Sequence, residues 1–222
     1  MTDEIRGLFQ GSLLTFAALF PIVNPLGIAP IFLTLTRDLN DPERRNLARK
    51  VAVNGLVLLL GSLFVGDIVL AFFGVSVPVV QIAGGLVVAS LGWHLLQAPD
   101  EDQASHQPEG YEAMASKALY PLTLPLTVGP GSISVAITLG ANFPSTPQPF
   151  AWDAASASIG MFLVALSIYA CFAYADVVSH RLGKRGLAVV MRSSAFILLC
   201  IGVQILWNGT DALLGITQGR GG

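Results

Sequence analysis

Two short proline–glycine stretches carry the polar chemistry of this chain. Asn24-Pro25-Leu26-Gly27 and Thr127-Val128-Gly129-Pro130-Gly131-Ser132 each interrupt a long apolar run. Asn is favoured just ahead of a helix, and Pro suits the first helical position, where its missing N–H would have no partner anyway. Each stretch therefore predicts a helix starting at its proline, with Gly129 as a weaker cap than Asn24. The first turn of a helix leaves N–H donors free and carries the positive end of the helix dipole, so it attracts carboxylates and phosphates. Asn24, Thr127, Ser132 and Ser134 add amide and hydroxyl groups that donate and accept. Gly27 and Gly131 are small enough to let a ligand approach the backbone. A single proline break would do no more than shape helix packing. Two at matching places, each with a cap-like residue and a glycine, point to a site for a small solute.

The residue types needed for other chemistry do not come together. No Ser/His/Asp set, Cys/His pair or metal-ligand spacing is present, so no enzyme, cofactor or metal is expected. Gly129-Pro130-Gly131-Ser132 lacks the lysine of a phosphate loop. Cys171 and Cys200 lie in apolar runs and read as small buried hydrophobes. No Asp, Glu, Lys or Arg falls near the middle of an apolar run, which suits a neutral or zwitterionic solute. Asp67, late in the second run, reads as an interfacial anchor or as an ion or gating residue. His94, near the end of the third, reads as an interfacial polar group.

The elements that must hold these residues are set by hydropathy. The 222 residues are 53% hydrophobic and 12% charged, against roughly 25% charged in a soluble domain. No charged side chain occurs from Gly7 to Thr36 or from Ala118 to Trp152. Runs of about 20 apolar residues cross a bilayer. Six spans follow, at 7–36, 51–73, 76–97, 118–141, 154–176 and 193–214. The fold class is thus an all-α polytopic membrane protein of six transmembrane helices, the first and fourth discontinuous. The bilayer is its first partner. The net charge of −2 gives nucleic acid no basic stripe to bind. The acidic start and long first run are not those of a cleavable signal.

The spans fall into two triplets, 1–97 and 118–222, joined by an acidic linker at 98–117. The short Gly74-Val75-Ser76 connection predicts a tight hairpin of spans two and three. Small-residue patches at Ala83-Gly84-Gly85 and Ser193-Ser194-Ala195 predict close packing against the broken helices or a lining for the solute path. Ten of the twelve Lys and Arg residues fall in the first, third and fifth connections. The positive-inside rule puts those in the cytoplasm, the linker among them, and both termini outside. Val23-Asn24-Pro25 aligns with Val128-Gly129-Pro130 at an offset of 105, and Gly92 with Gly202 at 110. Three spans per half forces the second half to enter from the opposite side, giving an inverted repeat.

The whole pattern resembles the MarC family of bacterial inner-membrane proteins. The resemblance rests on Asn24-Pro25, on Phe73-Gly74-Val75-Ser76-Val77-Pro78 followed by Ile82-Ala83-Gly84-Gly85, on Val128-Gly129-Pro130-Gly131, and on Gly202-Val203-Gln204 with Asn208-Gly209. It departs from the family at Leu26-Gly27 and at Ser193-Ser194-Ala195. The resemblance implies a six-span protein of the inner membrane, with neutral amino acid transport ascribed to some members. The family name refers to antibiotic resistance, but nothing in these residues predicts a large, greasy drug pocket.

The expected function is secondary transport of small neutral amino acids by alternating access. The carboxylate would rest on the helix starts at Pro25-Leu26-Gly27 and Pro130-Gly131-Ser132, oriented by Asn24, Thr127 and Ser132. Partners are that small-molecule substrate and a coupling ion whose identity, like the oligomeric state, the residues do not specify. A small-solute channel or efflux pore, and a non-transporting membrane partner or sensor, are the alternatives.

Overall fold

A computed structural model describes residues 2–97, 111–144 and 146–215. Among them every regular element is helical. The helices are α1 (Thr2–Val23), α2 (Pro25–Leu35), α3 (Asp41–Phe72), α4 (Val77–Gln97), α5 (Tyr111–Ser116), a π-helical segment (Ala118–Thr127), α6 (Pro130–Ala141), α7 (Pro147–Ala173) and α8 (Ala175–Leu214). Among the described residues five of these, α1, α3, α4, α7 and α8, are long and apolar enough to cross a membrane. α2 and α6 are short apolar helices, each following a break. The exterior is apolar, with Phe9, Leu14, Ile68, Phe72, Phe162 and Trp207 all exposed, as a lipid-facing surface would be and a water-facing one rarely is.

Several helices outrun the spans that hydropathy marks. α3 begins ten residues before position 51 because Asn40 and Glu43 form a reciprocal capping box around Pro42, a stronger start signal than loss of polarity. The linker at 98–117 carries a helix: α5 occupies its end and buries Met114 in the core. Residues 98–110 of that linker lie outside the described residues. α8 starts at Ala175 and bends at Gly183, whose φ of +62° is open to glycine and strained for other residues.

The predicted hairpin of α3 and α4 does not form. The two helices diverge after Gly74, and α6 lies between them, packed on both. α2 sits between α7 and α8 in the same manner. Because the wedge is only half a membrane thick, long helices on either side are held apart along part of their length.

The most extensive helix pairing joins α4 to α8, and small residues make it. A Cβ on Gly85 would meet the Gly202 carbonyl, and one on Gly92 would meet the Ala195 carbonyl. The backbones therefore touch directly, the usual route to helix association in lipid. The small patches at Ala83-Gly84-Gly85 and Ser193-Ser194-Ala195 thus serve mainly this seam. Only Gly84 turns to a broken helix, against Ser134 of α6. The main core gathers Leu19, Val23, Phe32, Leu63, Ile168 and Phe172, and Phe32 of α2 stacks on Phe172 of α7 with ring centroids 4.5 Å apart.

Candidate functional site

The first break is one residue wide. Asn24 has φ 47° and ψ 53°, the left-handed conformation, and among the described residues no other non-glycine has positive φ. Asn tolerates this region better than most residues. Its N–H donates to the Phe20 carbonyl and so closes α1, while its own carbonyl accepts from the Ile28 N–H and opens α2. Its side-chain Oδ1 accepts from the Gly27 N–H at 3.2 Å. One residue is C-cap of one helix and N-cap of the next. Gly27 is required because a Cβ there would overlap the Asn24 carboxamide.

The far end of α2 is held as firmly. The buried Arg44 guanidinium donates to the Leu39 carbonyl at 2.9 Å and the Thr36 carbonyl at 3.5 Å, and pairs with Asp41 at 3.0 Å. A cation at a helix C-terminus complements the dipole.

The second break is broad. Tyr120 (φ −131°, ψ 124°) and Leu124 (φ −106°, ψ 127°) are extended inside the π-helical segment. Each precedes a proline, Pro121 or Pro125, whose ring excludes the residue before it from helical geometry. The two threonine hydroxyls donate back to carbonyls five residues earlier. Thr123 Oγ1 donates to the Ala118 carbonyl at 2.6 Å, and Thr127 Oγ1 to the Leu122 carbonyl at 2.7 Å. Val128 and Gly129 then run extended into α6, whose start has no side-chain cap. The N–H groups of Gly131 and Ser132 have no acceptor among the described residues.

A cavity of about 660 Å³ joins the two breaks. One end is built from Asn24, Thr127 and the Gly129–Ser132 turn. From there it follows α2 past Ile28 and Ile31 to Leu35, and α4 past Leu91 to His94 and Leu95. Leu86 to Leu95 spans roughly 14 Å at the helical rise. The walls are mostly aliphatic, so the space is more apolar than the residues alone suggested. The reason is the wedge: α2 and α4 are separated by a half-length helix, and aliphatic side chains line the gap rather than fill it.

Of the residues singled out in the sequence, Asn24, Thr127, Gly129, Pro130, Gly131 and Ser132 line this cavity together. Pro25 and Gly27 are buried behind it, and Leu26 is exposed and points elsewhere. The glycines do not open the backbone as expected, because Gly131 abuts Val88 and Gly27 the Asn24 amide. Ser134 donates to the Val80 carbonyl of α4 at 3.1 Å and so ties two helices instead of facing the cavity. Asp67 is exposed on α3, outside the cavity lining, and accepts from the neighbouring Ile68 N–H. Among the described residues no group of three metal-ligating side chains gathers. His94, read from sequence as an interfacial group, lies on the cavity wall. Two further features were missed. The tandem Tyr120-Pro121-Leu122-Thr123 and Leu124-Pro125-Leu126-Thr127 was a visible signal for a double backbone step, and Ile28, Ile31 and Leu35 recur at helical spacing from Asn24.

The family model described as MarC family integral membrane protein matches residues 9–214. The UPF0056 inner membrane protein MarC of Escherichia coli strain K12 is 31% identical over 209 residues, covering 91% of this chain and 95% of the relative. The protein of that name from Shigella flexneri matches to the same extent. No solved structure matches.

Proposed function

The chain belongs to the MarC family of integral membrane proteins, and on that premise we propose that it is an inner-membrane secondary transporter of neutral amino acids. The observation that carries this reading is the cavity that joins both breaks. A transporter's site is expected where discontinuous helices meet, whereas packing kinks need no shared cavity.

The polar end of the cavity suits a zwitterion. Its donors are the Gly131 and Ser132 N–H groups at the positive end of α6 and the Asn24 Nδ2, which has no acceptor among the described residues although Asn24 is only 8% exposed. These fit a carboxylate. Thr127 and Ser132 have committed their hydroxyl protons to the Leu122 and Gly129 carbonyls, so their oxygens are left as acceptors for an ammonium group. No Asp, Glu, Lys or Arg lines the cavity, so neither a net acid nor a net base is favoured.

Alternating access needs two equivalent halves, and the packing favours a six-span inverted repeat. Exchanging α1 with the π-helical segment, α2 with α6, α3 with α7 and α4 with α8 turns the main helix contacts into one another. α6 between α3 and α4 becomes α2 between α7 and α8. At the offset of 110, Gly85 and Gly92 correspond to Ala195 and Gly202, so the Gly85–Gly202 and Gly92–Ala195 contacts also exchange. A two-fold axis between antiparallel helices has that effect. With the basic connections in the cytoplasm, the cavity runs from mid-membrane toward the inner side, as an inward-facing state would.

The test is counterflow in proteoliposomes. Purified protein should give saturable exchange of a labelled neutral amino acid, and Pro25→Ala or Pro130→Ala, which lets the helix run on, should cut exchange about tenfold or more while insertion is kept. Flux that never saturates would mark a pore, and unchanged exchange in both variants would remove the breaks from the mechanism.

A further inference from the structure

Resting on that transport reading, we infer that the cavity selects amino acids with bulky apolar side chains, of the leucine or phenylalanine kind, over glycine, alanine and serine. Most polar groups of the site gather at one end, at Asn24, Thr127 and the start of α6, where they can hold the part common to all amino acids. Beyond them the wall is mainly Ile28, Ile31 and Leu35 of α2, Leu91 and Leu95 of α4, and Leu198 of α8, with Ser90 and His94 the polar exceptions on α4. Along its α2 side this stretch offers nothing to a hydroxyl or amide, and a polar group held there would lose its water without gaining a hydrogen bond. A cavity of about 660 Å³ lies within the range that takes ligands well beyond alanine in size. With alanine bound, most of that aliphatic wall would still face water; a leucine side chain covers it.

Two facts separate this from a gap that lipid chains fill. Asn24 lines the cavity, is nine-tenths buried, and its Nδ2 has no acceptor among the described residues. Independently, the Gly131 and Ser132 N–H groups, of residues that line the same cavity, have no acceptor among the described residues. An acyl chain satisfies neither. A carboxylate satisfies both, and it leaves the attached side chain with one direction to extend, along α2 and α4.

The experiment is thermal stabilisation of the full-length chain, purified in detergent, by leucine, phenylalanine, alanine and glycine, with leucinamide and 4-methylpentanoate as probes lacking the carboxylate or the amine. Ligand that binds only the folded state raises stability by mass action. Each methylene in an apolar pocket is worth about tenfold or more, so leucine should act at concentrations about tenfold or more below alanine, and neither probe should match it. Ile31→Trp, which narrows the wall, should collapse the leucine-to-alanine ratio toward one. Leu91→Trp, on the facing helix and partly exposed, makes the same test if the first variant does not fold. Alanine equal to or better than leucine would overturn the side-chain inference and leave the amino acid reading standing. Stabilisation by 4-methylpentanoate as strong as by leucine would keep the apolar preference and sink the zwitterion reading. No response to any amino acid would end both.

Discussion

Asn24 accomplishes with one residue what the second half of the molecule spreads over Ala118 to Gly129. At the first break the backbone turns sharply, and nearly every freed group is satisfied on the spot: one N–H to α1, one carbonyl to α2, one side-chain oxygen to Gly27. At the second, two prolines pull the chain into extended steps, two threonine hydroxyls donate back to carbonyls five residues earlier, and the α6 start remains uncapped. Backbone polar groups inside a bilayer must be satisfied by the protein or by something in a cavity. The difference therefore assigns the halves different parts. The first break is a self-contained hinge. The second leaves donors that a bound carboxylate would complete, so in the proposed complex the substrate acts as the N-cap of α6.

The strongest way to break this contrast is to remove the hinge. Asn24→Ala places a Cβ-bearing residue without amide help in the left-handed region, at about 1–2 kcal/mol, and loses a cap worth about 1 kcal/mol. The sum, about 2–3 kcal/mol, should appear in denaturant unfolding of the purified chain. Asn24→Gly keeps the conformation and should cost much less, yet it also lacks the Nδ2 donor, so amino acid binding should fall in both. If alanine and glycine destabilise equally, the left-handed turn is not what the residue supplies.

The second break is probed through its threonines. Thr123 is fully buried and does not line the cavity. Thr123→Val keeps its shape and removes a buried hydroxyl bond to the Ala118 carbonyl, at about 1 kcal/mol. Ser12 offers the counterpart in the first half: its Oγ donates to the Leu8 carbonyl within the regular α1, where the helix already provides a partner, so Ser12→Ala should be nearly neutral. Unfolding measurements showing similar losses for both would mean that the threonine hydroxyl adds nothing to the π-helical backbone bonds.

What could be read from residues alone follows the range of the physics. Asn24-Pro25 and Gly129-Pro130 announced helix starts because capping is decided within four residues. The extended steps at Tyr120 and Leu124 were equally local, written in the residue before each proline. Their closure into a π-helix was not, since it depends on backbone bonds that skip five residues, such as Leu122 N–H to the Lys117 carbonyl and Val128 N–H to the Thr123 carbonyl. The divergence of α3 from α4 is harder still: a short connection ordinarily implies a hairpin, and only the insertion of α6, a partner some sixty residues away, forbids it. The aliphatic wall was missed for the same reason. Ile28, Ile31 and Leu35 form an ordinary apolar stripe, and whether such a stripe packs against a helix or lines a space is decided by its neighbours.

The smallest expected change in stability tests the contrast most directly. Gly129 has φ −96° and ψ 178°, extended backbone that any residue adopts, so nothing in the conformation requires glycine there. Gly129→Ser would give α6 the side-chain cap that α2 has. Serine exceeds glycine as a cap by only a few tenths of a kcal/mol, so unfolding should shift slightly or not at all, and upward if it does. Binding should respond far more, because the new hydroxyl would take the N–H donors that the carboxylate needs; a loss of about tenfold matches one hydrogen bond of this kind. A capped α6 that still binds amino acids as before would mean that the free donors of the second break are incidental, and that the two interruptions differ in shape but not in role.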